Sequence, residues 1–242
     1  MDKMLKLYLE NRLQKTDPTN LVINDNEATL YIYDVISPEE WDGNITAKSV
    51  TAQLDTLKNN KNVNVLNVMI NSPGGSIFEA RAIKANIERF HGKTVAHIDS
   101  LCASAATSIA LACQEVRMRQ GAFFMIHNAS GLAWGDKTAM RDMADMLEKI
   151  ETAIVGDYVD KTGKDEQTIR NMMDAETWLT ANEAIDNGFV DAIDEKQAIV
   201  NSWNLGAYNH VPNGLDPVQE ETDNVKNMSR TNANRMKLLE AM

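Results

Sequence analysis

Residues 29–36 alternate apolar with polar positions and are rich in aromatic and β-branched side chains, which predicts a strand; Ala47, Val50, Leu54 and Leu57 then recur at helical spacing. Residues 63–70 predict the next strand, which runs into the sharp turn Asn71-Ser72-Pro73-Gly74-Gly75; Ile77, Ala80, Ile83 and Ile87 mark a helix beyond it. Residues 94–98 follow as a short strand, residues 103–112 as a helix, and residues 116–119 and 122–126 as two short strands turned at Gln120-Gly121. Strands that alternate with single crossover helices imply parallel pairing, so the pattern predicts an α/β domain.

After a Gly-containing loop, Met140, Met143, Leu147, Ile150, Ile154 and Tyr158 trace one stripe along a helix of about 25 residues that ends at Thr162-Gly163. Its length and its methionines suggest a surface that packs beyond its own domain, the alternative being an ordinary intramolecular core face. Thr180-Ala181-Asn182-Glu183 reads as a capping box, with Gly188 past the end of its helix and residues 189–193 as a last strand.

This divides the chain into three parts. Residues 1–27 form an N-terminal leader, amphipathic up to about residue 20, with Met4, Leu5, Tyr8 and Leu9 as partner contacts or else as a frayed end. Residues 28–199 are the folded domain. Residues 200–242, with Pro212-Asn213-Gly214, Pro217 and a polar run through Asn234, read as a flexible polar tail, and Met236 to Met242 as a helical turn for a partner.

Charge and composition narrow the function. The chain has 242 residues, 43% hydrophobic and 24% charged, and 24 Lys+Arg against 35 Asp+Glu leave a net charge of −11. No basic run offsets that acidity, which argues against a nucleic-acid partner. No segment reaches about 18 apolar residues and charge interrupts the N-terminus early, so neither a membrane span nor a signal peptide is expected and the cytoplasm is the expected location. Cys102 and Cys113 sit in one apolar stretch with no second pair, as reduced core residues, and no metal or cofactor is expected. Gly92-Lys93-Thr94 is not a nucleotide loop, because Ile87 stands where its first glycine would be.

Three places carry candidate chemistry. His127 follows an apolar strand and precedes the polar loop Asn128-Ala129-Ser130-Gly131, at a strand end where sites in α/β sheets gather; His91, His97 and His210 lack that setting. Ser104 lies among Ala103, Ala105 and Ala106 at a predicted helix start, where small neighbours admit a substrate backbone and the helix dipole favours an alkoxide. Cys102 competes as a nucleophile, and Ser104 could equally be a packing residue. Gly74 and Gly75 either free backbone N–H groups for an anion or close a plain tight turn.

The order Asn71-Ser72-Pro73-Gly74-Gly75, Cys102-Ala103-Ser104-Ala105-Ala106 and Met125-Ile126-His127-Asn128 resembles the Clp protease proteolytic subunit (ClpP-like) family, especially its bacteriophage head-maturation (prohead) protease branch. Thr162-Gly163, Glu176-Thr177-Trp178-Leu179-Thr180-Ala181, Glu183-Ala184 and Gly188-Phe189-Val190-Asp191 continue it, so the resemblance spans about residues 28 to 194. It implies a ClpP/crotonase-like fold, a repeated β-β-α superhelix with a long protruding helix, and a serine endopeptidase. Ser104 would be the nucleophile, His127 the general base, and the N–H groups of Gly75 and Ala105 the oxyanion hole. Glu176 falls where the family usually has Asp, and Asp174 is the alternative acid. The resemblance also implies a homo-oligomeric ring joined through the long helix, and a protein or peptide substrate: capsid or scaffold protein in an assembling procapsid in the host cytoplasm, or protein fed by a separate ATPase partner. Two readings from other classes stand beside it, a crotonase-like acyl-CoA enzyme that would not need Ser104 and a noncatalytic assembly factor.

Overall fold

A computed structural model describes residues 11, 21–38, 44–58, 60, 62–197, 203–213 and 215. The expected leader contacts at Met4, Leu5, Tyr8 and Leu9 and the helical turn from Met236 lie outside them. The described chain builds one eight-stranded sheet. Its strands are β1 (Leu21–Asn24), β2 (Glu27–Ile32), β3 (Val65–Ser72), β4 (Lys93–Ala103), β5 (Glu115–Gln120), β6 (Phe123–Ile126), β7 (Thr177–Thr180) and β8 (Ala192–Gln197). The helices are α1 (Ala47–Asp55), α2 (Ile77–Glu88), α3 (Ala105–Ala110), α4 (Lys137–Thr162), α5 (Glu166–Asp174) and α6 (Ala181–Asp186).

The path β1-β2-β3-β4-β5-β8 is parallel except for the β1–β2 hairpin, and β6 leaves it to pair in parallel with β4 and antiparallel with β7. Parallel pairing therefore appears where single crossover helices called for it. β3 shows why its register is fixed: Leu66, Val68 and Ile70 are fully buried while their neighbours are half-covered, so a slip of one residue would turn this face to solvent. Ile83 and Ile87 of α2 and Val50 of α1 close the core against that face.

β4 departs from expectation in a way that matters for the site. Predicted over residues 94–98, it runs for 11 residues, because the apolar stretch through Leu101, Cys102 and Ala103 is buried as strand and not as the start of a helix. Its register against β3 slips between the pairs Ile70↔Ile98 and Ser72↔Cys102, a bulge that bends the strand. The first half of β4 pairs with β5 through Val95–Ile98, and the second half with β6 through Leu101–Ala103.

α4 has 26 residues, capped by Asp136, whose carboxylate accepts from the N–H groups of Thr138 and Ala139, and closed by Gly163 at φ 69°. Only Ile154, Val155 and Tyr158 of this helix are buried. Met140 is 45% exposed and Trp134, in the loop before the helix, 94% exposed, so the first part of the Met stripe is not covered by the described chain. The last strand lies at Ala192–Gln197 and not at 189–193, since Phe189 and Val190 are consumed in the turn after α6, where the N–H of Phe189 reaches the Ala184 carbonyl at 2.9 Å.

Residues 203–213 also differ from the tail expected there. Trp203, Leu205 and Ala207 are buried, the first two against Leu101, Ala103 and Met125, so this stretch packs on the domain despite its polar neighbourhood. The alternation Trp203-Asn204-Leu205-Gly206-Ala207 has the period of an extended segment with one buried face.

Candidate active site

Two neighbouring parallel strands carry the central pair. The register Ala103↔Met125 between β4 and β6, prolonged by a bond from the Ser104 N–H to the Met125 carbonyl at 2.9 Å, sets Ser104 and His127 just past adjacent strand ends. Ser104 Oγ lies 2.7 Å from His127 Nε2. Ser104 adopts φ 56° and ψ −125°, a conformation costly for a residue with a Cβ, at the step from β4 into α3. Thr107 holds this turn: its hydroxyl donates to the Ser104 carbonyl at 2.6 Å and accepts from the Tyr158 hydroxyl of α4 at 2.7 Å.

The Asn71–Gly75 turn lies against this elbow. Buried Ser72 donates its hydroxyl to the Asp34 carbonyl at 2.6 Å and accepts from the Gly74 N–H at 3.1 Å, which clamps the turn. Ile36 bridges across it, its N–H to the Gly74 carbonyl and its carbonyl to the Ser76 N–H, both at 2.8 Å. That ladder leaves the Gly75 N–H on the opposite side from Ile36. Gly75, Ser104, Ala105 and His127 share the lining of one cavity of about 200 Å³, with Phe78 and Tyr208 among its other walls. A tetrahedral oxyanion formed on Ser104 in that cavity has the N–H groups of Gly75 and Ala105 as candidate donors.

The two candidate acids are placed differently. Asp174, at the end of α5, accepts from the Asn128 side chain at 2.7 Å in an exposed setting. Glu176 is only 5% exposed and sits at φ 49°. Its Oε1 accepts from the backbone N–H groups of Asn209 and His210, each at 2.7 Å, and from the Trp178 indole at 3.4 Å; Oε2 accepts from the Asn209 side-chain amide at 3.2 Å. The carboxylate is thus held by the segment after Leu205, whose Tyr208 stands edge-on to the His127 ring at a centroid distance of 5.3 Å. The Tyr208 hydroxyl donates to the Pro73 carbonyl. Burial pushes its pKa well up, against a hydrogen bond with the Ser104 side chain and with the charge of Glu176.

Cys102, in β4 two residues before Ser104, is fully buried, and burial raises its thiol far above the usual range; Cys113 is pushed up to about 12 by the same cause. A thiol kept neutral in this way is a poor nucleophile, so the native chain at pH 8 should resist iodoacetamide at both cysteines and take up two labels only when unfolded, as read by intact mass. Asp99, in the β4 bulge, spends its carboxylate on Arg119 Nε at 2.5 Å and on the Tyr33 hydroxyl, a structural pairing. Among the described residues no cluster of His, Cys, Asp or Glu could hold a metal ion, and no helix is long and apolar enough to cross a membrane.

Sequence reasoning missed Ser72, Thr107 and Tyr208. Ser72 and Thr107 are single hydroxyls without a spacing signal, and Tyr208 falls out of phase with the alternation of Trp203, Leu205 and Ala207, so no periodicity points to it.

Comparison with known proteins adds an independent line. Residues 21–197 match the family model described as Clp protease. The chain is 30% identical over 129 residues to the ATP-dependent Clp protease proteolytic subunit 1 of Chlamydia muridarum, a match covering 52% of this chain and 67% of that one. It is 25% identical over 158 residues to the protein of the same name from Prochlorococcus marinus, covering 64% and 80%. Among solved structures, a ClpP1 variant from Listeria monocytogenes aligns with a TM-score of 0.61 and 26% identity over 69% of this chain and 91% of that one.

Proposed function

The chain belongs to the Clp protease family, and from that premise we propose that it is a serine endopeptidase in which Ser104 is the nucleophile, His127 the general base and Glu176 the orienting acid. The observation that carries the reading is the 2.7 Å Ser104–His127 contact at adjacent strand ends, with Ser104 in a strained elbow beside Gly75. Ser104 Oγ attacks the peptide carbonyl as its proton passes to His127 Nε2. The N–H groups of Gly75 and Ala105 hold the oxyanion. His127 then protonates the leaving amine, and water, deprotonated by the same imidazole, releases the acyl group from Ser104. A crotonase-like reaction would need the two N–H groups alone and would give no reason for the Ser104–His127 contact.

The acid assignment rests on burial. Glu176 is shielded from solvent, and Asp174 is exposed and bonded to Asn128. Glu176→Gln should lower kcat/KM by about 10²–10⁴, and Asp174→Asn by no more than a few-fold. Peptide hydrolysis by the two purified variants checks this, and the reverse ranking moves the role to Asp174.

For the substrate, we propose scaffold or capsid protein, processed in an assembling procapsid in the host cytoplasm by a homo-oligomeric ring that uses the uncovered Met140 to Met146 surface of α4. The polar sequence beyond residue 215 and the Glu176-Thr177-Trp178-Leu179 block support the head-maturation reading. The name shared by the relatives, an ATP-dependent proteolytic subunit, favours a second one in which a separate ATPase supplies unfolded protein. Co-expression with a capsid and scaffold pair, and in parallel with a Clp-type ATPase and a folded substrate, separates them: ATP-independent trimming of scaffold supports the first, and hydrolysis only with ATPase and ATP the second.

A further inference from the structure

We propose that Tyr208 is a positioning residue of the oxyanion turn: its hydroxyl donates to the Pro73 carbonyl, and this bond fixes the peptide plane from which the Gly75 N–H is aimed into the cavity. The inference rests on the reading of Ser104 as the nucleophile and of the Gly75 N–H as an oxyanion donor. It adds a residue that lies beyond residues 21–197, the part that matches the family model.

The direction of the Gly75 N–H depends on the two soft dihedrals of Gly74, which join the peptide unit 73–74 to the unit 74–75. Gly74 sits at φ 91° and carries no Cβ, so its own sterics restrain these dihedrals little and hydrogen bonds must fix them. The second unit is held at its carbonyl, which accepts from the Ile36 N–H at 2.8 Å. The first is held at its N–H by Ser72 Oγ, and at 3.1 Å that bond alone lets the plane tilt about it. Tyr208 grips the other end of the same unit, at the carbonyl, so the plane is fixed at both ends. The tolerance is small, because the turn touches the backbone of the nucleophile. A Cβ on Gly74 would lie 2.5 Å from the Ala103 carbonyl oxygen and 2.8 Å from Ser104 Cβ.

Tyr208 is itself held in place. Its ring stands edge-on to Trp178 at a centroid distance of 5.8 Å and to His127 at 5.3 Å, and its N–H donates to the Leu205 carbonyl at 2.8 Å. Leu205 is fully buried on Leu101, Ala103 and Met125. The Trp203 indole donates to Asn71 Oδ1 at 2.9 Å, so the same segment grips the turn at its first residue as well as at Pro73. Burial keeps the Tyr208 hydroxyl protonated well above neutral pH, and it stays a donor wherever a serine peptidase works. The hydroxyl thus has a task separate from that of the ring, which is one wall of the cavity.

The test is steady-state hydrolysis of a fluorogenic peptide by the full-length chain and by Tyr208→Phe, which loses one oxygen and keeps the ring. The variant should show kcat lowered about tenfold or more with KM within about twofold, because a misaligned oxyanion donor weakens the transition state and leaves ground-state binding alone. In a Gly75→Ala background, where the N–H is already displaced, the same substitution should lower kcat by less than about twofold further. An unchanged kcat, or a raised KM with kcat kept, overturns the inference and leaves Tyr208 as a wall of the substrate cavity. A loss of undiminished size in the Gly75→Ala background also overturns it, since the hydroxyl then acts by a route other than Gly75. If circular dichroism shows Tyr208→Phe unfolded, Trp203→Phe decides the question in the same assays: it removes the indole donor to Asn71 and should give the same pattern. Ser104→Ala alongside separates the two claims. Inactive Ser104→Ala beside fully active Tyr208→Phe overturns this inference alone, whereas a Ser104→Ala chain that still hydrolyses the peptide defeats the serine-peptidase reading and the inference with it.

Discussion

Ser104→Ala is expected to abolish peptide hydrolysis, lowering kcat by a factor of about 10⁴–10⁶, and to leave the fold intact. Removing Oγ deletes the atom that attacks the carbonyl, and the oxyanion donors that remain can stabilise only the uncatalysed attack of water. The packing cost is small, because the residue keeps its Cβ and its backbone bonds: the N–H still reaches Met125 and the carbonyl still accepts from Thr107. The strain in the elbow gives a second reading of the same site. Ser104→Gly relieves a φ of 56° that costs on the order of 1–3 kcal/mol in a residue with a Cβ, against roughly 0.5–1 kcal/mol for the extra freedom of glycine in the unfolded chain. The glycine variant should therefore be inactive yet at least as stable as the parent in urea denaturation. An active Ser104→Ala chain, or a markedly destabilised glycine variant, would contradict the role assigned to this elbow.

Gly75→Ala is also expected to produce a large loss, a drop in kcat of about 10²–10³, the usual size for removing one oxyanion donor. The cause is steric. A Cβ on Gly75 would lie 2.0 Å from the Ile36 carbonyl oxygen, at a φ of 140° that side chains avoid. The turn must then back away from Ile36, breaking the pair of 2.8 Å bonds that aims the Gly75 N–H into the cavity. Gly163→Ala is the control: its φ of 69° is strained but nothing lies within 4 Å of the new Cβ, so it should cost about 1 kcal/mol of stability and no activity. If Gly75→Ala keeps full kcat, the Gly75 N–H is not an oxyanion donor.

The elements that could be read from the chain are those whose burial is one-sided. β3 and α2 announce themselves through period 2 and helical spacing because each shows one face to a single core, and α4 does so because its apolar stripe begins several turns before the buried Ile154, Val155 and Tyr158. The pairing of Ser104 with His127 was accessible only as the sum of several short motifs, since what joins them is the register of β4 on β6, a contact over 23 positions that no local pattern encodes. Ala103, Ala105 and Ala106 favour helix and mask the second half of β4, which tertiary burial extends to Ala103. Residues 203–213 were assigned to the tail by composition. Polarity averaged over the region hid Trp203, Leu205 and Ala207, whose alternation is the signal that burial follows. Glu176 could be placed by counting between Gly163 and Thr180, but its partners come from Asn209 and His210, 33 and 34 positions on.

The most direct test of the central claim is intact-mass spectrometry of the purified chain after prolonged exposure to a fluorophosphonate, with peptide mapping and the Ser104→Ala variant alongside. The account predicts a single adduct, on the peptide that contains Ser104, absent from the variant and accompanied by loss of hydrolysis in step with labelling. A chain that hydrolyses peptides while Ser104 stays unmodified, or that takes the label at another residue in the Ser104→Ala variant and loses activity with it, would contradict the assignment of Ser104 as the nucleophile.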